Sequence, residues 1–187
     1  MRNSKKKKRR AFGGFIRTFD PDVPGYVDSR LRALGGVHDL LLRTTWKGAK
    51  LADILRTATL PFDTPSFDRF VIQSTELEVN SGAALPLAMT LNELCTNATK
   101  YGSLSTPEGL VKITAEVDDQ AKQIRLTWME EGGPPVKEPT RRGFGSRLIE
   151  QSFVGQLKGV AKINFPPTGV VCVLDIPLAS VQGTPVA

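Results

Sequence analysis

Glu93, Asn97 and Lys100 recur at four- and three-residue steps within one apolar segment, so on a helix they line a single edge. A carboxylate, an amide and an ammonium on one edge suit a Mg2+–polyphosphate: oxygen ligands for a hard cation, and a point charge for phosphate. The same trio would also make an ordinary solvated helix face. Further along, Gly132-Gly133-Pro134 and then Arg142-Gly143-Phe144-Gly145-Ser146 precede a second helical pattern. Glycines let backbone amides approach phosphate, and a helix N-terminus adds a favourable dipole. This is not a Walker loop, because no lysine follows the second glycine. It is not a dinucleotide fingerprint either, because the third glycine is missing and a proline-rich loop stands where a strand should. On spacing alone, a plain turn and helix cap would look the same. His38 is the only histidine, which removes most metal sites and makes a serine or cysteine triad hard to assemble.

The elements that must position these groups follow from hydrophobic periodicity. Leu87, Leu91, Leu94, Ala98 and Tyr101 form one apolar stripe, which predicts a helix over 84–101 with Pro86 in its first turn and those five residues buried. Residues 27–59 also read as helical, through Leu31, Leu34, Val37, Leu41, Leu42, Trp46, Ala49, Ile54 and Leu55. Gly35-Gly36 and Lys47-Gly48 leave open whether this is one helix or two. Short strand-like pieces follow a break at 61–65, with Asn80-Ser81-Gly82 read as a turn. Val111, Ile113, Ala115 and Val117, then Ile124, Leu126 and Trp128, alternate on either side of Asp118-Asp119 and predict a hairpin. Residues 131–145 read as loop, 145–157 as helix, 160–165 and 170–176 as a closing hairpin, and everything after Leu178 as a small, polar tail. No internal repeat is visible. Helices first, then mixed elements with late antiparallel hairpins, predict an α+β fold with helices layered on one face of a sheet.

The chain has 187 residues with 40% hydrophobic and 24% charged, enough to bury a core without a disulfide or metal staple. Cys95 and Cys172 lie in separate apolar segments, which fits a reducing compartment. No run reaches the length of a membrane span, and no apolar stretch follows the N-terminal charges as a secretory signal would require, so the chain reads as cytoplasmic. The net charge of +6 is concentrated in the first ten residues, which hold seven bases and no acid; the remainder has 18 bases against 19 acids. The near-neutral body argues against a nucleic-acid binder, and membrane contact is expected only through the basic tail, if at all.

Taken together the motifs resemble one family. Leu91-Asn92-Glu93-Leu94-Cys95-Thr96-Asn97-Ala98-Thr99-Lys100-Tyr101-Gly102 resembles the N box of the GHKL ATP-binding fold. Its continuation as Tyr-Gly-Ser-Leu-Ser resembles the version found in HWE sensor histidine kinases. Trp128-Met129-Glu130-Glu131-Gly132-Gly133-Pro134 resembles the family's Trp-x-Glu stretch, and Gly143-Phe144-Gly145-Ser146-Arg147-Leu148-Ile149-Glu150 its second glycine box. His38-Asp39-Leu40-Leu41, with Trp46-Lys47-Gly48-Ala49 after it, resembles the segment leading into the catalytic domain. The likeness runs in order from about residue 31 to 177. Asn92 stands where the family's N box has a histidine.

The resemblance implies a two-layer α/β sandwich of the histidine-kinase ATPase type, with four parts. Residues 1–26 would be a basic tail and linker, and 27–60 a partial phospho-acceptor-type hairpin. Residues 61–178 would be the ATP-binding catalytic domain and 179–187 a tail. It implies Asn97 as a Mg2+ ligand, with Glu93 beside it, ligating through water or polarising a reacting group. Lys100 and Tyr101 would face the phosphates, and Glu130 would accept the adenine amino hydrogen. Gly132 and Gly133 would admit the base close to the backbone. Gly143, Phe144, Gly145 and Ser146 would cradle phosphates, under a mobile lid formed by 134–142. The activity implied is transfer of the γ-phosphate of ATP to a histidine in two-component signalling. The implied partners are a response regulator, a histidine-bearing hairpin of the same chain or of a partner, and a second copy in a homodimer. The family's acceptor histidine lies upstream of the stretch matched here, and His38 falls on the second helix in a structural place. Even so, His38, with Asp39 beside it to orient the imidazole, is the only candidate acceptor in the sequence. A catalytically inactive phosphotransfer or scaffold protein of the same shape is the alternative.

Overall fold

Asn80 starts the central helix. In the computed structural model, which describes residues 35–42, 48–63, 68–136 and 153–183, its Oδ1 accepts from the Ala83 amide at 2.9 Å. That cap satisfies one of the open N–H groups of a helix terminus, and helix α3 runs from it over Ser81–Tyr101. The predicted turn at 80–82 is therefore a cap and the start of a helix. Pro86 falls in the second turn rather than the first, and its carbonyl accepts from Thr90 Oγ1 at 2.9 Å. The Asn80 amide also donates to the carbonyls of Ser180 and Gly183 at 3.2 and 2.7 Å, and its backbone N–H donates to Val181 at 2.7 Å. These bonds hold a short helix, α5 (Leu178–Gln182), against the start of α3, with Val181 buried. The segment predicted as a polar tail is thus helical over its first residues, because Val181 supplies an apolar anchor and Asn80 satisfies its carbonyls.

The helices lie on a five-stranded sheet of order β2-β4-β5-β7-β6. Its strands are β2 (Phe70–Ser74), β4 (Leu110–Asp118), β5 (Gln123–Glu131), β6 (Val160–Asn164) and β7 (Val171–Pro177). β2 pairs with β4 in parallel, and all other pairs are antiparallel. The two expected hairpins are present. At the first, Asp118 Oδ1 accepts from the amides of Gln120 and Ala121 at 3.0 and 2.9 Å, which closes the turn.

Strand alternation sends Val111, Ile113 and Ala115, then Ile124, Leu126 and Trp128, then Cys172, Leu174 and Ile176 to one face, where all are buried. That face packs against Leu87, Leu91 and Leu94 of α3 and against Leu51, Ile54, Leu55 and Ala58 of α2 (Leu51–Thr59) in one core. The stretch left open in the sequence is divided. Residues 35–42 form helix α1 with Val37 and Leu41 buried, and α2 begins only after a two-residue strand β1 (Ala49–Lys50) pairs with β3 (Glu78–Val79). Gly48, at φ 154°, sets up that pairing; a Cβ there would lie 2.5 Å from the Val79 carbonyl oxygen. The α+β sandwich is as expected. Among the described residues, no helix is long and apolar enough to cross a membrane.

Candidate functional site

The polar edge of α3 changes character along its length. Glu93 is buried with 3% exposure, while Asn97, one turn later, is exposed and Lys100 half-buried. The apolar stripe runs the same way: Leu87, Leu91, Leu94 and Ala98 are buried, but Tyr101, expected to close the stripe, is 74% exposed. The buried face ends at Ala98, and the next position of the same period reaches solvent. The helix therefore presents an amide, a lysine and a tyrosine at its open end, with a buried carboxylate one turn inside.

Just beyond that end the chain meets Glu130, the last inward residue of β5. Its carboxylate is nearly enclosed, at 4% exposure. Oε2 accepts from the Ser103 backbone N–H at 2.8 Å, and Oε1 accepts from Trp128 Nε1 at 3.1 Å. Burial pushes the Glu130 carboxyl above its ordinary range, and the Ser103 and Trp128 hydrogen bonds draw it partly back. Two glycines fit closely against this residue, one at its carboxylate and one at its main chain. A Cβ at Gly102 would lie 1.9 Å from Glu130 Oε2, and a Cβ at Gly169 would lie 1.9 Å from the Glu130 carbonyl oxygen. Glu130 also raises the thiol of Cys95, one turn before Thr99 on α3, after the larger effect of burial. The end of α3 and the end of β5 thus form one junction.

The glycine loop after β5 closes on the same place. Gly132 has φ 73°, a left-handed conformation that a side chain would strain. A Cβ at Gly133 would sit 2.7 Å from Ser103 Cα. Thr106 Oγ1 lies 2.9 Å from the Gly132 carbonyl and 3.0 Å from that of Ser103, tying the loop after α3 to the loop after β5. Gly143, Phe144, Gly145 and Ser146, and the lid beyond residue 136, lie outside the described residues. His38 is exposed on the helical stretch 35–42.

The donors present suit a magnesium-bound nucleotide. Mg2+ keeps water and phosphate oxygens and takes only one or two protein ligands, so an amide beside a carboxylate is a sufficient set. Among the described residues, no group of three or more His, Cys, Asp and Glu forms a metal cage. The loop around Ser103 carries roles that sequence reasoning missed: the Ser103 N–H, Thr106, and Arg69, whose guanidinium gathers that loop's carbonyls. Arg69 sits in an unremarkable polar stretch ahead of β2, and no spacing signal points to it.

In sequence and in fold the chain is similar to known histidine kinases. Residues 19–76 match the family model of the HWE histidine kinases. A blue-light-activated histidine kinase of Brucella anthropi is 39% identical over 164 residues, 86% of this chain and 33% of that protein. One of Brucella ovis is 36% identical over 82% of this chain and 32% of its own length. The chain therefore spans about a third of the length of these curated relatives. In fold, it resembles the histidine kinase domain of the Erythrobacter litoralis EL346 blue-light activated histidine kinase. That likeness has a TM-score of 0.66 and 20% identity, and covers 85% of this chain and 82% of the other. It also resembles the histidine kinase ThkA solved in complex with the response regulator protein TrrA, with a TM-score of 0.54 and 21% identity over 90% of this chain and 57% of that one. By the family match, the curated relatives and the shared sandwich, this chain carries the catalytic-domain fold of the HWE-type histidine kinases.

Proposed function

We propose that this region binds Mg2+–ATP and transfers the γ-phosphate to a histidine on a helical hairpin, its own or a partner's, from which a response regulator takes it. The observation that carries this reading is the junction at the end of α3, where Asn97 and Lys100 reach the surface and Gly102 meets the enclosed Glu130 carboxylate. In this reading Glu130 accepts from the adenine amino group, and Gly132 and Gly133 admit the base. Asn97 supplies an oxygen to Mg2+, with Glu93 acting through water. Lys100 and Tyr101 face the phosphates, and Gly143, Phe144, Gly145 and Ser146 complete their cradle. Magnesium supplies charge neutralisation when bound; the residues of this chain orient the nucleotide and keep water from its base. The partner reading draws support from the ThkA neighbour, which was solved with a response regulator.

Incubation with γ-labelled ATP and Mg2+, comparing the chain with its His38→Ala variant, tests the proposal. Acid-labile label lost in the variant makes the exposed His38 the acceptor. ATP binding without label makes the chain a catalytic region that takes its histidine from elsewhere, and an added histidine-bearing hairpin should then be labelled. No nucleotide binding at all sinks the proposal and leaves the scaffold reading.

A further inference from the structure

Resting on the reading of Glu130 as the group that meets the base, we infer that Arg69 is the residue that positions it, and so sets purine selectivity without touching the nucleotide. The Arg69 guanidinium binds a single loop four times over. Nε donates to the Gly109 carbonyl at 3.0 Å, one Nη to Leu104 at 3.2 Å, and the other Nη to Ser103 at 3.2 Å and to Thr106. Four of the five N–H groups that a guanidinium offers are thus spent on main-chain carbonyls between 103 and 109.

Arg69 is itself fixed at the backbone. Its N–H donates to Asp63 Oδ1 at 3.2 Å, and its carbonyl accepts from Val111 at 2.8 Å, at the start of the β2–β4 pairing. The fork is therefore anchored to the sheet, and it holds the loop to the sheet.

What it holds is the base end of the site. The Ser103 peptide that gives its carbonyl to Arg69 is followed by the Leu104 and Thr106 carbonyls on the same fork, while the Ser103 N–H carries Glu130 Oε2. Thr106 reaches across to Gly132, and Gly133 rests against Ser103. A shift of this loop would carry the Ser103 N–H away from Glu130 and loosen Gly132 and Gly133 at the same time. Lysine is no substitute: it is a single point of charge on a flexible stem and cannot span four carbonyls in a plane.

The test is a double-mutant cycle on the full chain, reading Mg2+–ATP and Mg2+–GTP affinity by calorimetry. Arg69→Lys should weaken ATP about tenfold, the loss of roughly one good interaction, and pull the ATP-to-GTP affinity ratio toward one. In the Glu130→Ala background, where that ratio is already lost, Arg69→Lys should change it no further, because both residues act through one carboxylate. Arg69→Gln serves as the second variant if lysine prevents folding. A lower unfolding midpoint with unchanged ATP affinity and ratio would make Arg69 merely structural and overturn the inference. Additive losses of selectivity would do the same. If the unmutated chain binds neither nucleotide, the Glu130 reading fails first and takes this one with it, a result distinct from a selective wild type whose ratio ignores Arg69.

Discussion

Trp128 Nε1 donates to Glu130 Oε1 at 3.1 Å from two positions back on the same strand. Alternate strand residues share a face, so one strand supplies both an aromatic wall and a hydrogen bond for the carboxylate at its end. Phe70 packs edge-on against the same indole, with ring centroids 6.3 Å apart. Trp128→Phe keeps most of that packing but removes the donor. It should lower stability by about 1–3 kcal/mol, the range for a buried charged group losing a hydrogen bond. Denaturant unfolding measures it, and an unchanged midpoint would show that the indole N–H contributes nothing.

Glu130 should also leave a signature in pH. Its folded pKa lies above its ordinary value of 4.5, so the native state holds the proton more tightly than the unfolded chain. Its contribution to stability is therefore full below 4.5 and is lost as pH rises through the folded pKa. Glu130→Gln cannot ionise, and its NH2, unlike the hydroxyl oxygen of the protonated carboxyl, cannot accept from Ser103 N–H or Trp128 Nε1, so the variant should be less stable at low pH. That deficit should narrow as pH rises from 4.5, read as the difference between unfolding free energies across a pH series. A gap that stays constant with pH would rule out the shifted carboxyl as its source.

Gly102→Ala should damage binding through sterics alone. The added Cβ would lie 1.9 Å from Glu130 Oε2 and 3.0 Å from Ala98 Cα, so the carboxylate must leave the Ser103 N–H. ATP affinity should fall by about tenfold or more, the loss of roughly one good interaction. Gly155→Ala is the control: it lies on the short helix α4 (153–157), nothing lies within 4 Å of its Cβ position, and the change should be neutral or stabilise by up to about 1 kcal/mol.

Asn97 and Leu94 separate binding from folding on one helix. Asn97→Asp alters an exposed side chain and should abolish productive Mg2+–ATP binding with little change in stability. Leu94→Ala empties a core position that is 3% exposed and should cost about 2–5 kcal/mol. Paired calorimetric binding and unfolding measurements distinguish them; unchanged nucleotide affinity in Asn97→Asp would remove its assignment.

Both described thiols should be inert in the folded protein. Burial pushes Cys172 up to about 12, and burial together with the Glu130 charge raises Cys95 well above the ordinary thiol range. Because the thiolate is the reactive form, a disulfide-exchange reagent at neutral pH should label neither until denaturant is added. Rapid labelling of native protein would place one of them at the surface.

Much of this molecule is written in short-range pattern. The period-two alternation of Val111 to Val117 and Ile124 to Trp128, and the 3.6-residue stripe of Leu87 to Ala98, dictated the hairpin and the central helix, because each needs one continuous apolar face. The motifs around Asn97, Glu130 and Gly132 were legible for the same reason: their residues are neighbours in sequence. The start of α3 was less legible, since Asn-Ser-Gly satisfies a turn and a cap equally well, and only the docking of α5 on Asn80 selects the cap. Tyr101 obeyed the stripe's period yet lies in solvent, because periodicity states a direction and not how far the packed face extends. Tertiary structure alone decided the surroundings of Glu130. Its donor at Ser103, the close glycines at 102 and 169, and the Arg69 fork that holds the Ser103 loop come from three stretches of chain far from its own strand. Hydrogen bonds and close contacts between such distant residues leave no periodic trace, since each depends on a loop's carbonyls being brought to one place by the sheet.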